Sequence, residues 1–84
     1  MNNIVMRKVE VAADYRPLSD KELVASVEIS APPTNSGPIY FLGDDGADVP
    51  WVPGEYHSFR NINLAEVLVK GTPGDLVTIA GGTW

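Results

Sequence analysis

The sequence predicts an all-β fold, a small antiparallel β-sandwich or barrel of six to seven short strands. Two observations carry that prediction. Several short segments alternate apolar and polar residues with a period of two, which is the signature of a half-buried strand. Turn-forming residues also punctuate the 84-residue chain at intervals of about 8–12 residues, the spacing of a sandwich or barrel. No repeat of about 20–50 residues interrupts this reading, so a solenoid has nothing to rest on.

Ile4 to Ala13 forms the first alternating segment, with Val5, Val9, Val11 and Ala13 on one side and Lys8, Glu10 and Ala12 on the other. Arg7 falls on the apolar side, so Val9 to Ala13 is the better-defined part of this strand. Tyr15 to Glu22 is predicted as a loop, because Pro17 has no amide donor and Ser19 and Asp20 favour local side-chain turns. A rival reading makes Ser19-Asp20-Lys21-Glu22 a capped helix start. The alternation of Leu23, Ala25, Val27 and Ile29 that follows, rich in β-branched residues, favours a strand.

Pro32-Pro33 ends that strand, and Thr34-Asn35-Ser36-Gly37-Pro38 is turn chemistry. Ile39 to Leu42 is a short strand, and Gly43 to Asp48 reverses the chain. Pro50 and Pro53 bracket Trp51-Val52, an extended piece that cannot sit in the middle of a sheet. Pro53-Gly54 suits the centre of a type II turn. Glu55 to Arg60 is the next strand, with Asn61 to Leu64 an unassigned corner. Glu66 to Lys70 and Leu76 to Ala80 are predicted as a closing hairpin about the turn Gly71-Thr72-Pro73-Gly74-Asp75. Residues 1–84 thus make a single β domain with a short N-terminal arm (1–6) and a C-terminal tail (81–84).

Composition narrows the function. Six basic and eleven acidic residues leave a net charge of −5, of which −1 lies in residues 1–30 and −4 in residues 31–84. Sequence-independent binding of nucleic acid needs clustered Lys and Arg, so no nucleic-acid partner is expected. No apolar run approaches the roughly 20 residues of a membrane-spanning helix, and no membrane partner is expected. The start of the chain lacks the order of a signal peptide, which points to synthesis and retention in the cytosol, or release on lysis. With no Cys, neither a disulfide framework nor a thiolate metal site can stabilise so small a domain, and assembly with other chains is the remaining common route.

No constellation points to catalysis. His57 is the only His, and nothing resembles a nucleophile elbow around Ser36 or Ser58. Asp44, Asp45, Asp48 and Glu55 invite a calcium reading, but the EF-hand pattern would need an oxygen ligand where Gly46 stands and a Gly where Val49 stands. They read as solvated turn carboxylates, with a looser cation site between subunits as the alternative. No catalytic residue, cofactor or metal is expected. Tyr40 and Tyr56, mid-strand, are expected in the core. Trp51, between two prolines, and Trp84, at the end of the sequence, are candidates for a protein interface. Ile4, Val5 and Met6 are further partner-contact candidates, able to add as a strand to another sheet.

The order Ala-Pro-Pro-Thr-Asn-Ser-Gly-Pro-Ile-Tyr-Phe-Leu-Gly from Ala31, an acidic turn, Val52-Pro53-Gly54-Glu55, then Asn63 to Thr72 and Gly74 to Ile79, resembles small β-sandwich domains of tailed-bacteriophage virion proteins. The resemblance covers about residues 23–80. It departs from the pattern in the Trp-Val-Pro preceding Gly54. Such domains serve as capsid decoration or cement proteins, as head fibres, and as pieces of tail and baseplate proteins. The resemblance implies a structural role on the capsid surface of a virion, after synthesis in the host cytoplasm, with the major capsid protein as partner and a homotrimer as the assembly. The rival expectation is a receptor- or glycan-binding module of a tail fibre or baseplate, in which Trp51 and Tyr56 beside Asp44 and Asp45 would stack on sugars.

Overall fold

A computed structural model describes residues 3–83. Eight strands run β1 (Ile4–Glu10), β2 (Arg16–Pro17), β3 (Val24–Ser30), β4 (Ile39–Leu42), β5 (Asp48–Trp51), β6 (Tyr56–Asn63), β7 (Leu68–Lys70) and β8 (Leu76–Gly82), with one 3-10 turn at Leu64–Glu66. They form two four-stranded sheets, ordered β1-β8-β3-β6 and β2-β7-β4-β5, in which every pair is antiparallel. The described residues contain no α-helix, and the Ser19 helix start is a loop. The fold is a small β-sandwich.

One apolar layer joins the sheets. Val5, Ala25, Val27, Ile29, Val77 and Ile79 enter it from the first sheet, and Ile39, Phe41, Trp51 and Val69 from the second. The period-two pattern explains the division: in β3, Ala25, Val27 and Ile29 are buried while Val24 and Glu28 are exposed. Leu64, fully buried on the 3-10 turn, helps close one end. Asn63 holds that turn in place, its Oδ1 accepting from the Ala65 and Leu23 amides at 3.1 Å each.

The structure corrects the closing hairpin. β7 belongs to the second sheet and β8 to the first, so Gly71 to Asp75 is an arch that carries the chain across the core. Pro53-Gly54 does the same between β5 and β6. Both turns are where the sequence puts them, with Gly54 at φ +92° and Gly74 at φ +100°. An unprimed Pro-Gly turn twists against the right-handed strand twist that a tight hairpin needs, which suits it to parting strands into different sheets. The tight hairpin is instead β4–β5. There Gly46 N donates to Gly43 O at 3.0 Å and Gly43 N to Ala47 O at 2.8 Å, leaving Asp44-Asp45-Gly46 as a three-residue loop.

The ends of the chain also differ from expectation. Ile4 to Met6 are not an arm but the first half of β1, paired with Gly82, Gly81 and Ala80. Gly81 and Gly82 are correspondingly strand, not tail, and Thr83 N donates to Asn3 O at 2.9 Å. Past Glu10 the chain turns toward the second sheet: Val11 N still reaches Asp75 O, but Ala12 O accepts from Gly71 N. Val11 to Ala13 therefore lie outside the strand that alternation assigned them to.

Candidate functional site

Four sheet edges are available to a partner: β1 and β6 in the first sheet, β2 and β5 in the second. Pro17 and Pro50 both sit on edges, the place in a sheet where a missing amide donor costs least. β6 carries its own irregularity. Asn61, at φ +52°, donates its N–H to Ser26 Oγ at 3.2 Å, and the β3–β6 register shifts between Ala25 and Val27. Such a bulge bends an edge and limits the length open to further pairing. The regular part of β6 is Tyr56 to Phe59, opposite Ser30 to Val27.

Between the β5 and β6 edges the sandwich gapes. An apolar cleft of about 240 Å3 is lined by Ile29, Phe41, Leu42, Trp51, Phe59, Ile62 and Val67. β6 is exposed along most of its length. Trp51 forms the floor. Its ring lies 4.1 Å from that of Phe41, 4.8 Å edge-on from the His57 imidazole and 6.4 Å from Phe59, nearly parallel to it. His57 Nε2 stands 2.7 Å from Glu55 Oε2, and Glu55 Oε1 accepts the Val52 amide at 3.1 Å. The contact with His57 first, then the amide, hold the Glu55 carboxyl below its usual pKa.

Trp51 is only 6% exposed, so it is a core residue and not the surface anchor that its flanking prolines suggest. The reason is alternation: the prolines constrain the backbone of an edge strand while the intervening side chain points inward. Tyr56 is 62% exposed and lies on the outer face of the first sheet. Trp51 and Tyr56 therefore do not combine as a stacking platform. Tyr56 is not a core residue, and Tyr40 is half-buried on the outer face of the second sheet.

Val5 faces the core, whereas Ile4 and Met6 are 77% and 72% exposed on the outer face at the β1 edge. The strand thus separates the three N-terminal contact candidates, offering two of them to a partner. Trp84 lies outside the described residues.

The acidic residues are dispersed among separate tasks. Asp45 Oδ1 accepts the Ala47 amide at 3.0 Å, and Asp48 accepts from the Tyr15 hydroxyl and lies 3.2 Å from Lys70 Nζ. Lys70 in turn sits 4.7 Å from the centre of the Tyr15 ring. Partial desolvation, then the hydrogen bond to Asp48 and its charge, push the Tyr15 pKa up to about 12. The same contact, followed by Lys70, lowers that of Asp48. Among the described residues no group of three or more His, Asp or Glu is placed to hold a metal ion.

Asp75 and Asn35 have roles that the sequence does not announce. Buried Asp75 accepts from the Ser36 amide at 2.9 Å and from its hydroxyl. Asn35 pairs with the backbone of Leu76 as a strand residue would, Oδ1 accepting its N–H and Nδ2 donating to its carbonyl, both at 2.9 Å. Their only sequence signal is turn composition around Asn35. Comparison with protein-family models, curated proteins and solved structures finds no match.

Proposed function

We propose that this chain is a structural protein of a tailed-bacteriophage virion, a decoration protein that binds the outer surface of the head as a homotrimer and fastens neighbouring major capsid subunits. The sequence resemblance over residues 23–80 supports the reading, and the sandwich agrees with the fold it implies. The observation that carries it beyond resemblance is the β1 edge, where Ile4 and Met6 present two large apolar side chains beside a strand with one side open. Adjacent large apolar groups exposed on one strand mark a contact site, and an edge strand adds backbone hydrogen bonds to the same contact. Binding to assembled shell alone stabilises that shell by mass action, about 2.7 kcal/mol per site when free protein is at 100 times its Kd.

The test is add-back to heads assembled from the major capsid protein of the same genome, read by co-sedimentation and by the temperature at which the shell opens. Saturable binding that raises this temperature is expected. Ile4→Lys/Met6→Lys, which leaves the core untouched, is expected to abolish it. Absence of binding by the folded native chain would refute the assignment. Light scattering across a dilution series, expected to hold near three times 9.0 kDa, checks the trimer separately.

A further inference from the structure

We infer that the cleft between β5 and β6 is a docking site for an extended basic peptide, which adds as a strand along β6 and places one large apolar side chain over Trp51. The site is distinct from the β1 edge and does not depend on the virion assignment.

Size argues for a side chain as the occupant. At about 240 Å3 the cleft is smaller than the roughly 300–1,000 Å3 of small-molecule sites, and it is open along its side between two edge strands. A groove of that form admits one apolar group carried on a chain running alongside. The backbone supplies the rail. β6 is hydrogen-bonded to β3 on one side only, so alternate N–H and C=O groups from Tyr56 to Phe59 face away from the sheet. Phe59, whose inward ring stacks toward Trp51, is the residue at which rail and cleft meet.

Charge fixes the kind of peptide. Asp44 stands two residues beyond Leu42 and Glu66 immediately precedes Val67, both Leu42 and Val67 being cleft residues, and among the described residues neither carboxylate forms an ion pair. Glu55, beside the other end, is engaged among the described residues by His57 and the Val52 amide. Arg60 is the one permanent cation on β6, against the three carboxylates of Asp44, Glu55 and Glu66. The cleft surroundings are therefore net acidic and complement Lys or Arg two positions to either side of the apolar residue, on the same face of the added strand.

The probe is the blocked heptapeptide Thr-Lys-Thr-Phe-Thr-Lys-Thr, whose Phe and two Lys share one face of a strand, titrated into the Trp84→Phe variant so that Trp51 is the sole indole. A saturable change in Trp51 fluorescence, with amide shifts in nitrogen-15 spectra concentrated in β5 and β6, is expected. Replacing the peptide Phe by Ser, or every Lys by Glu, is expected to weaken binding at least about tenfold. Asp44→Lys/Glu66→Lys, on exposed positions, is expected to weaken it about fivefold or more without unfolding the domain. No saturable response, equal binding of the Glu peptide, or shifts located at β1 would overturn the inference. So would β5–β6 shifts that appear on raising protein concentration without peptide, which would make a second copy the occupant.

Discussion

Gly81→Ala is the sharpest test of how the first sheet is packed. A Cβ built on Gly81 would stand 2.0 Å from the Ser26 carbonyl oxygen and 2.7 Å from Val27 Cα, both backbone atoms of the neighbouring strand. Ordinary carbon–oxygen contacts between strands are about 3.3–3.6 Å, so β8 and β3 would have to part locally by more than 1 Å. Forcing a methyl into a packed interior costs about 1–3 kcal/mol, and a strained or broken ladder bond adds roughly 1 kcal/mol. Loss of glycine's freedom in the unfolded chain returns about 0.4–1 kcal/mol. The balance is a loss of about 1–4 kcal/mol. With a urea m-value near 1 kcal/mol/M for so small a domain, the unfolding midpoint falls by about 1–4 M. Gly37→Ala is the control, because nothing lies within 4 Å of its added Cβ and its φ is not in the left-handed region. It is expected to raise stability by about 0.4–1 kcal/mol. If Gly81→Ala matches Gly37→Ala in urea unfolding followed by circular dichroism, the close approach of β8 to β3 is wrong.

Trp51→Ala removes the cleft floor and three aromatic contacts. It is expected to cost about 3–5 kcal/mol in thermal unfolding, enough to unfold a domain of this size, whereas Trp51→Phe keeps the fold. Asn35→Ala leaves the Leu76 N–H and C=O without their partners, an expected loss of about 1–3 kcal/mol in urea, with faster hydrogen exchange at Leu76. Ultraviolet titration of the phenolates is expected to show Tyr15 ionising at about 12, with Asp48→Asn moving it toward the ordinary value near 10. Because the folded pKa of Tyr15 is raised, its contribution to stability is complete below about 10 and is lost as pH rises through about 12. Asp48 has the opposite sign: its lowered pKa stabilises the fold above about 4, and that contribution fades as pH falls through the folded value, a dependence that Tyr15→Phe reduces.

Local patterning made much of the fold legible. Alternation in Leu23 to Ile29 identifies the buried face of β3, and Ile39 to Leu42 coincides with β4. Pro50 correctly removes its strand from the sheet centre. What sequence could not reveal was which sheet receives the strand after a turn. Pro73-Gly74 fixes a bend, but whether β8 folds back on β7 or crosses the core depends on β1 and β3, more than forty residues away in sequence, on which it zips. Gly81-Gly82 misleads because glycine weakens an isolated strand, while here the missing side chain lets two backbones meet. Trp51 misleads because prolines on both sides describe its backbone and say nothing of where its ring points. The cleft has no linear signature, since its walls come from β3, β4, β5, β6 and the segment after the 3-10 turn.

The pairing of Ile4 with Gly82, and of Asn3 with Thr83, makes the described chain nearly a closed loop. A short linker across that gap would join the two ends without disturbing either sheet, and the exposed Asp44-Asp45-Gly46 tip offers a place to reopen the ring. Order along the chain would change while every strand kept its neighbours. Chain leading away from Asn3 and from Thr83 starts side by side at one corner of the first sheet, whereas a group inserted at the hairpin tip would leave from the other sheet.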